Sequence, residues 1–173
     1  MQVLKSVSFV YQMQEDQILA AINPGGPDAW SCWLTRRVAL LLVERAAQLL
    51  VNTSDLAQRA PAELRGEAIA FEHASAMAKT AQRMSQTPIN ALKPSATAAE
   101  LVKSMAIANQ GDKFRMQLNG LAGGGAQGIL ARAGLQRVLQ MLQDEMIKGG
   151  WLTKPGKPRA LGTADKSGLI PSH

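Results

Sequence analysis

A single cysteine, Cys32, in a chain of 173 residues excludes an internal disulfide and leaves no paired-cysteine motif for a metal or redox centre. Only two histidines are present, and no cluster of carboxylates accompanies them, so no metal-ligand spacing emerges. Neither a metal nor a cofactor is therefore expected. Aromatic residues make up 4% of the chain, so aliphatic side chains, alanine and eight adaptable methionines must fill the core. The longest aliphatic run, residues 38–43, is far short of the roughly 20 residues that span a bilayer, so no membrane role is expected. The first residues, MQVLKSVSFVYQ, lack the apolar stretch and small-residue cleavage site of a secretory signal. With the lone cysteine, this points to a cytoplasmic protein.

What the chain does contain is an internal echo. Residues 5–50 and 103–146 both read as short strands, a Gly-rich connector and an amphipathic helix. At a constant offset of 96 positions (112 − 16), Asp16 meets Asp112, Asn23 meets Asn119, Leu34 meets Leu130 and Arg36 meets Arg132. The helical positions Ala39, Leu42, Val43, Ala46 and Leu50 fall on Leu135, Val138, Leu139, Leu142 and Met146. Lys5-Ser6 falls on Lys103-Ser104 if the first hairpin turn is two residues longer. The expected class is α+β, with antiparallel strands and amphipathic helices in two pseudo-repeated ββα (or βββα) halves. The halves are residues 1–52 and 98–152 of a single domain 1–152, bridged by an Ala-rich helix over 62–84. A basic tail rich in Pro and Gly, 153–173, follows.

Along the chain, Val7, Phe9 and Tyr11 alternate with Ser8 and Val10, the period of a strand. Residues 18–22 form a second strand and 29–34 a candidate third. Thr35 can cap a helix over 36–52. That helix is apolar on more than one face, so it must be central or covered by a partner. In the helix over 62–84, Leu64, Ala68, Phe71, Ser75 and Ala78 mark one face, and residues 85–97 read as a linker. Residues 97–100 resemble a capping box. The echo favours a strand there instead, with Leu101, Lys103, Met105 and Ile107 on one face. A strand over 112–118 leads through a flexible Gly-rich connector to a helix over 129–148, which Gly149-Gly150 ends. Trp151 is expected to fold back on the core.

The segment GLAGGGAQG places Gly123, Gly125 and Gly128 in the spacing of a dinucleotide loop, which brings backbone N–H groups to a pyrophosphate. The acidic residue required about twenty positions later lies within a helix, and the preceding strand alternates as a half-exposed one does. A strand-to-helix connector fits better, with weak anion binding by these glycines and Arg132 as the alternative. Arg36, Arg37 and Arg132 open the two echoed helices, where cations oppose the helix dipole. They hold an anion, pair with a nearby carboxylate or simply stand exposed. Cys32 and His73 give no nucleophile–base pattern, so no catalytic residue is expected.

Trp30 and Trp33 alternate on one strand, so one of them can face a partner unless helices cover both sides of the sheet. In the tail, Lys154, Lys157, Arg159 and Lys166 stand against Asp165 alone, half of the net charge of +6. These features predict a non-enzymatic protein–protein interaction or assembly subunit, with a protein partner or a second copy meeting Trp30, Trp33, Arg36 and Arg37. The alternative is a nucleic-acid-binding accessory protein that uses the basic tail and the helix-start arginines.

Overall fold

The computed structural model describes residues 1–81 and 99–154. The expected linker 85–97, the last turn of the expected helix 62–84 and the tail beyond Lys154, including Lys157 and Arg159, lie outside the described residues. Strands β1 (Gln2–Val3), β2 (Val7–Gln12), β3 (Gln17–Ile22) and β4 (Trp30–Leu34) lead into helix α1 (Arg36–Asn52). Short α2 (Asp55–Arg59) and a 3-10 turn (Ala62–Leu64) precede α3 (Arg65–Ala81). Strands β5 (Glu100–Gln110), β6 (Lys113–Gly120) and β7 (Gly125–Ala131) then lead into α4 (Arg132–Lys148). All seven strands form one mixed sheet in the order β1-β7-β6-β5-β4-β3-β2, so the class is α+β.

Two antiparallel meanders, β2–β4 and β5–β7, build this sheet and meet through a short parallel contact, Cys32 opposite Glu100 and Trp33 opposite Leu101. Their elements recur at the offset seen in the sequence. Helix α1 starts at 36 and ends at 52, and α4 starts at 132 and ends at 148. The β3–β4 ladder pairs Ile18 with Leu34 and Leu19 with Trp33; the β6–β7 ladder pairs Phe114 with Leu130 and Arg115 with Ile129. The β2–β3 turn is residues 13–16, two longer than the Gly111-Asp112 turn of β5–β6. Gly111 sits at φ +68, the backbone that a two-residue hairpin turn needs at its first position.

Helices α1 and α4 lie on one side of the sheet. Ile18, Ile22, Cys32, Leu34, Ala39, Leu42, Met116, Leu118, Leu142 and Met146 form the main core, and Ala46, Leu50, Phe114, Leu135 and Leu139 form a second cluster. Thr35 Oγ1 accepts from the Val38 N–H and so caps α1 as its sequence requires. Gly149 and Gly150 (φ +71) end α4, and Trp151 folds back, buried, with its ring edge-on to Tyr11 at 5.7 Å and Nε1 donating to Asp16 Oδ1 at 3.1 Å. A Cβ on Gly149 would come within 2.7 Å of the Tyr11 ring, so only glycine permits this closure. Glu145 Oε2 accepts from the Tyr11 backbone N–H at 2.9 Å. That bond occupies part of the exposed edge of β2, where an open row of donors would invite another strand.

Three expectations change. The Gly-rich connector is largely a strand: Gly125 and Gly128 lie in β7, and α4 begins at Arg132 rather than at 129. Glycine in this strand admits a close neighbour, since a Cβ on Gly128 would lie 2.7 Å from the Leu4 Cβ beside β1. Leu101, Lys103, Met105 and Ile107 do not share a face. A bulge between Val102 and Ser104 shifts the alternation, turning Met105 and Ile107 to the core and leaving Leu101 and Lys103 exposed. The third concerns α3, whose apolar stripe points outward, with Phe71 69% exposed and Leu64 and Ala78 exposed too. Buried Ala76 and polar contacts hold the opposite side of α3: Glu72 to Arg132 and Ser54, and His73 Nε2 to Gln140 Oε1 at 2.7 Å.

Candidate binding surface

Alternation along each strand assigns every side chain to one face. With Ile18, Ala20, Ile22, Cys32 and Leu34 under the helices, their neighbours Val10, Leu19, Ala21, Ser31 and Trp33 occupy the opposite face. No described helix packs there. Leu19 lies in the ladder between Val10 and Trp33 and is buried at 2% exposure, although it belongs to neither core cluster. Trp33 is half-buried, and its neighbour Leu101 is exposed. On β6 and β7 the same face carries Lys113, Arg115, Gln117, Asn119, Gln127 and Ile129. Gln117 Nε2 donates to Asn119 Oδ1 at 3.0 Å, and Asn119 Nδ2 donates to Ser104 Oγ at 3.0 Å, which makes a short row of amides. Trp33 is thus on the open face, while Trp30 turns to the helix side and packs on the core.

Trp30 instead belongs to a cluster at one end of the interior strands β4 and β5. Its Nε1 donates to Glu100 Oε1 at 2.7 Å, and the Ala122 backbone N–H donates to Glu100 Oε2 at 2.6 Å. A Cβ on Gly120 or Gly124 would overlap the Glu100 carboxyl group, so both glycines clear its place. Gly123, at φ +96, supplies the turn. The Gly-rich segment therefore cradles a carboxylate, and that carboxylate comes from the chain itself. Neither Gly125 nor Gly128 lies at a helix N-terminus.

Of the three helix-start arginines, Arg132 is fully engaged. Its Nε and Nη2 donate to Glu72, Nη1 to Thr53 Oγ1 at 2.8 Å and Nη2 to the Leu50 carbonyl at 2.6 Å. It thereby joins the end of α1, α3 and the start of α4, and Glu72 also accepts from buried Ser54 at 2.8 Å. Arg36 and Arg37 are exposed and make no hydrogen bond among the described residues, although the Arg36 charge helps hold the Asp16 carboxyl low. Lys154 is exposed where the described chain ends.

Cys32 is buried, and burial first, then the Glu100 charge, push its thiol up to about 12. A thiol held protonated is a poor nucleophile. Among the described residues no three His, Cys, Asp or Glu side chains come together to hold a metal ion, and no helix is long and apolar enough to cross a membrane. A shallow cleft of about 200 Å³ lies beside residues 23–28. Its polar hub, Asn23, is consumed internally: Oδ1 accepts from the Lys5 and Ser6 N–H groups, and Nδ2 donates to the Val3 and Asp28 carbonyls. Asn23 stands at φ +47, a conformation asparagine tolerates better than most residues.

The sequence singles out Trp33, which lies on the open face, but not Glu100, Glu72 or Arg115. A lone carboxylate seventy positions from its tryptophan partner carries no local signal. Arg115 was legible only as an outward residue of an alternating strand. No protein-family model, curated protein or solved structure matches this chain.

Proposed function

We propose that the protein is a non-enzymatic binding and assembly subunit that works through the open face of its sheet. The observation that carries this reading is a sheet side on which no described helix packs, where half-buried Trp33 adjoins exposed Leu101 and where Ile129 is exposed farther along. Val10, Leu19, Trp33 and Leu101 line up across four neighbouring strands, and contiguous apolar surface of this kind marks interaction sites. The chemistry near the best nucleophile also favours binding over catalysis, because the Cys32 thiol is buried and protonated. A reducing, cytoplasmic location suits such a free thiol.

The test is a double variant, Leu101→Glu with Ile129→Glu, both at exposed positions (38% and 56%) and therefore compatible with folding. Partner recovery from native lysate and mass by light scattering should show an associated wild type and a variant that has lost the association. A wild type that is monomeric and recovers nothing, or a variant that associates as before, overturns the proposal.

A further inference from the structure

We infer that the open sheet face binds single-stranded nucleic acid, an inference that rests on the proposal that this face is the working surface. Charge is the first argument. Glu100 is the only acidic residue in any of the seven strands, and its carboxylate is drawn into the Trp30–glycine cluster. The strands carry three cations, Lys103, Lys113 and Arg115, all exposed and none in an ion pair or hydrogen bond among the described residues. Lys113 and Arg115 share the open face by alternation, and Lys103 stands at the bulge that borders it. Acidic residues nearby, Glu15 and Asp112, sit on hairpin turns at the rim. The strands of this face thus present positive charge and no carboxylate, the complement of a phosphate backbone.

The second argument is the mixture of groups beside those cations. Trp33 offers a ring on which a base can stack, with Leu101 as its apolar neighbour, while Ile129 lies beside Arg115 toward the other end of the face. Gln117, Asn119 and Gln127 offer both donors and acceptors to base edges. From Leu101 to Ala108, which pairs with Arg115, β5 runs about 24 Å at 3.4 Å per residue, enough to engage several nucleotides. With no described helix projecting from this face to enter a duplex groove, the broad sheet suits unpaired bases lying across it.

The experiment uses the full chain and fluorescently labelled, unstructured oligo-dT and oligo-U, read by anisotropy across a salt series. Binding should weaken with salt at a slope of about −2, since three neutralised phosphates contribute about −0.7 each on single strands. Lys103→Glu with Arg115→Glu should weaken binding at least about tenfold with an unchanged far-ultraviolet spectrum. Trp33→Ala should weaken it about tenfold, within the range for loss of one stacked base, and Trp33→Phe should restore much of it. Should Trp33→Ala not fold, quenching of tryptophan emission by oligo-dT in the unmodified protein supports stacking, and unquenched emission overturns it.

No binding at low salt, or binding indifferent to the charge reversal, overturns the inference. So does equal affinity for polyglutamate, a polyanion without bases. If nucleic acid fails but the Leu101→Glu/Ile129→Glu variant still loses a protein partner or a second copy, only the ligand class is wrong. If both fail, the open face is not the working surface.

Discussion

The two halves share their helix bounds and β3–β4/β6–β7 register, yet the two sides of the sheet treat that shared frame differently. Under the helices, matched positions carry the same chemistry: Ile18 and Phe114, Ile22 and Leu118, Leu34 and Leu130, all apolar and most of them fully buried. On the open side they diverge. Leu19 and Ala21, both buried, match exposed Arg115 and half-buried Gln117, and Trp33 matches Ile129. A core constrains every residue that enters it, because close packing punishes both excess and missing volume. That face is exposed chiefly on β6 and β7, where no such constraint holds, so the difference between the halves is where a binding specificity can be written.

The largest test of this comparison lies in the core. At one matched helix position α1 has Ala46 and α4 has Leu142, both buried. Leu142→Ala should cost about 2–5 kcal/mol, the usual range for a buried leucine truncation that leaves a cavity. Ala46→Leu should cost about 1–3 kcal/mol by overpacking. Equilibrium denaturant unfolding measures both. Near-neutral results at either site would mean that the two helices pack interchangeably.

A smaller effect separates the helix starts. Arg132 and Arg36 match in position, but only Arg132 is tied to Glu72, Thr53 and Leu50. Arg132→Ala should cost about 1–3 kcal/mol, since it leaves Glu72 without its charged donor in a half-buried site. Arg36→Ala, at an exposed position, should stay within about 0.5 kcal/mol. The same unfolding experiment decides, and equal losses would remove the distinction.

How far the fold could be read in advance follows the same division. Residues 36–52 announced a helix through Thr35 and a three-and-four spacing of apolar residues, and β5 was recognised through its counterpart in the first half. Each signal is local or repeated, so it survives without knowledge of the tertiary structure. The outward turn of the α3 stripe was not legible, because Leu64 and Phe71 give the same periodicity whether the helix docks on them or away from them. What decides is Glu72 meeting Arg132, a contact sixty positions apart. The role of the glycines was hidden likewise, since their occupant, Glu100, comes from another strand. Trp33 could be singled out by composition and alternation, but not which side the helices would choose.

The smallest expected effect concerns the hairpin turns, where Asp16 matches Asp112. Asp16, at φ +48, accepts from the Tyr11 hydroxyl at 2.8 Å and from Trp151 Nε1, while Asp112 is exposed with no partner among the described residues. The hydrogen bond from Tyr11, and then that from Trp151, hold the Asp16 carboxyl below its ordinary value. The hydrogen bond to Asp16, desolvation and the Asp16 charge together raise the Tyr11 phenol above its ordinary value near 10. The signs are opposite. The contribution from Asp16 is present above the ordinary carboxylate range and fades as pH falls through its depressed folded value. That from Tyr11 is present below its unfolded value and fades as pH rises through its raised folded value. Tyr11 is the only tyrosine in the chain, so phenolate absorbance reports it alone. Asp16→Asn keeps an acceptor and tolerates the positive φ but removes the charge, so the phenol should ionise at lower pH than in the unmodified protein. Asp112→Asn should leave the titration where it was. If both variants titrate like the wild type, the turn contact is not what holds the Tyr11 proton, and the two hairpins would differ in length alone.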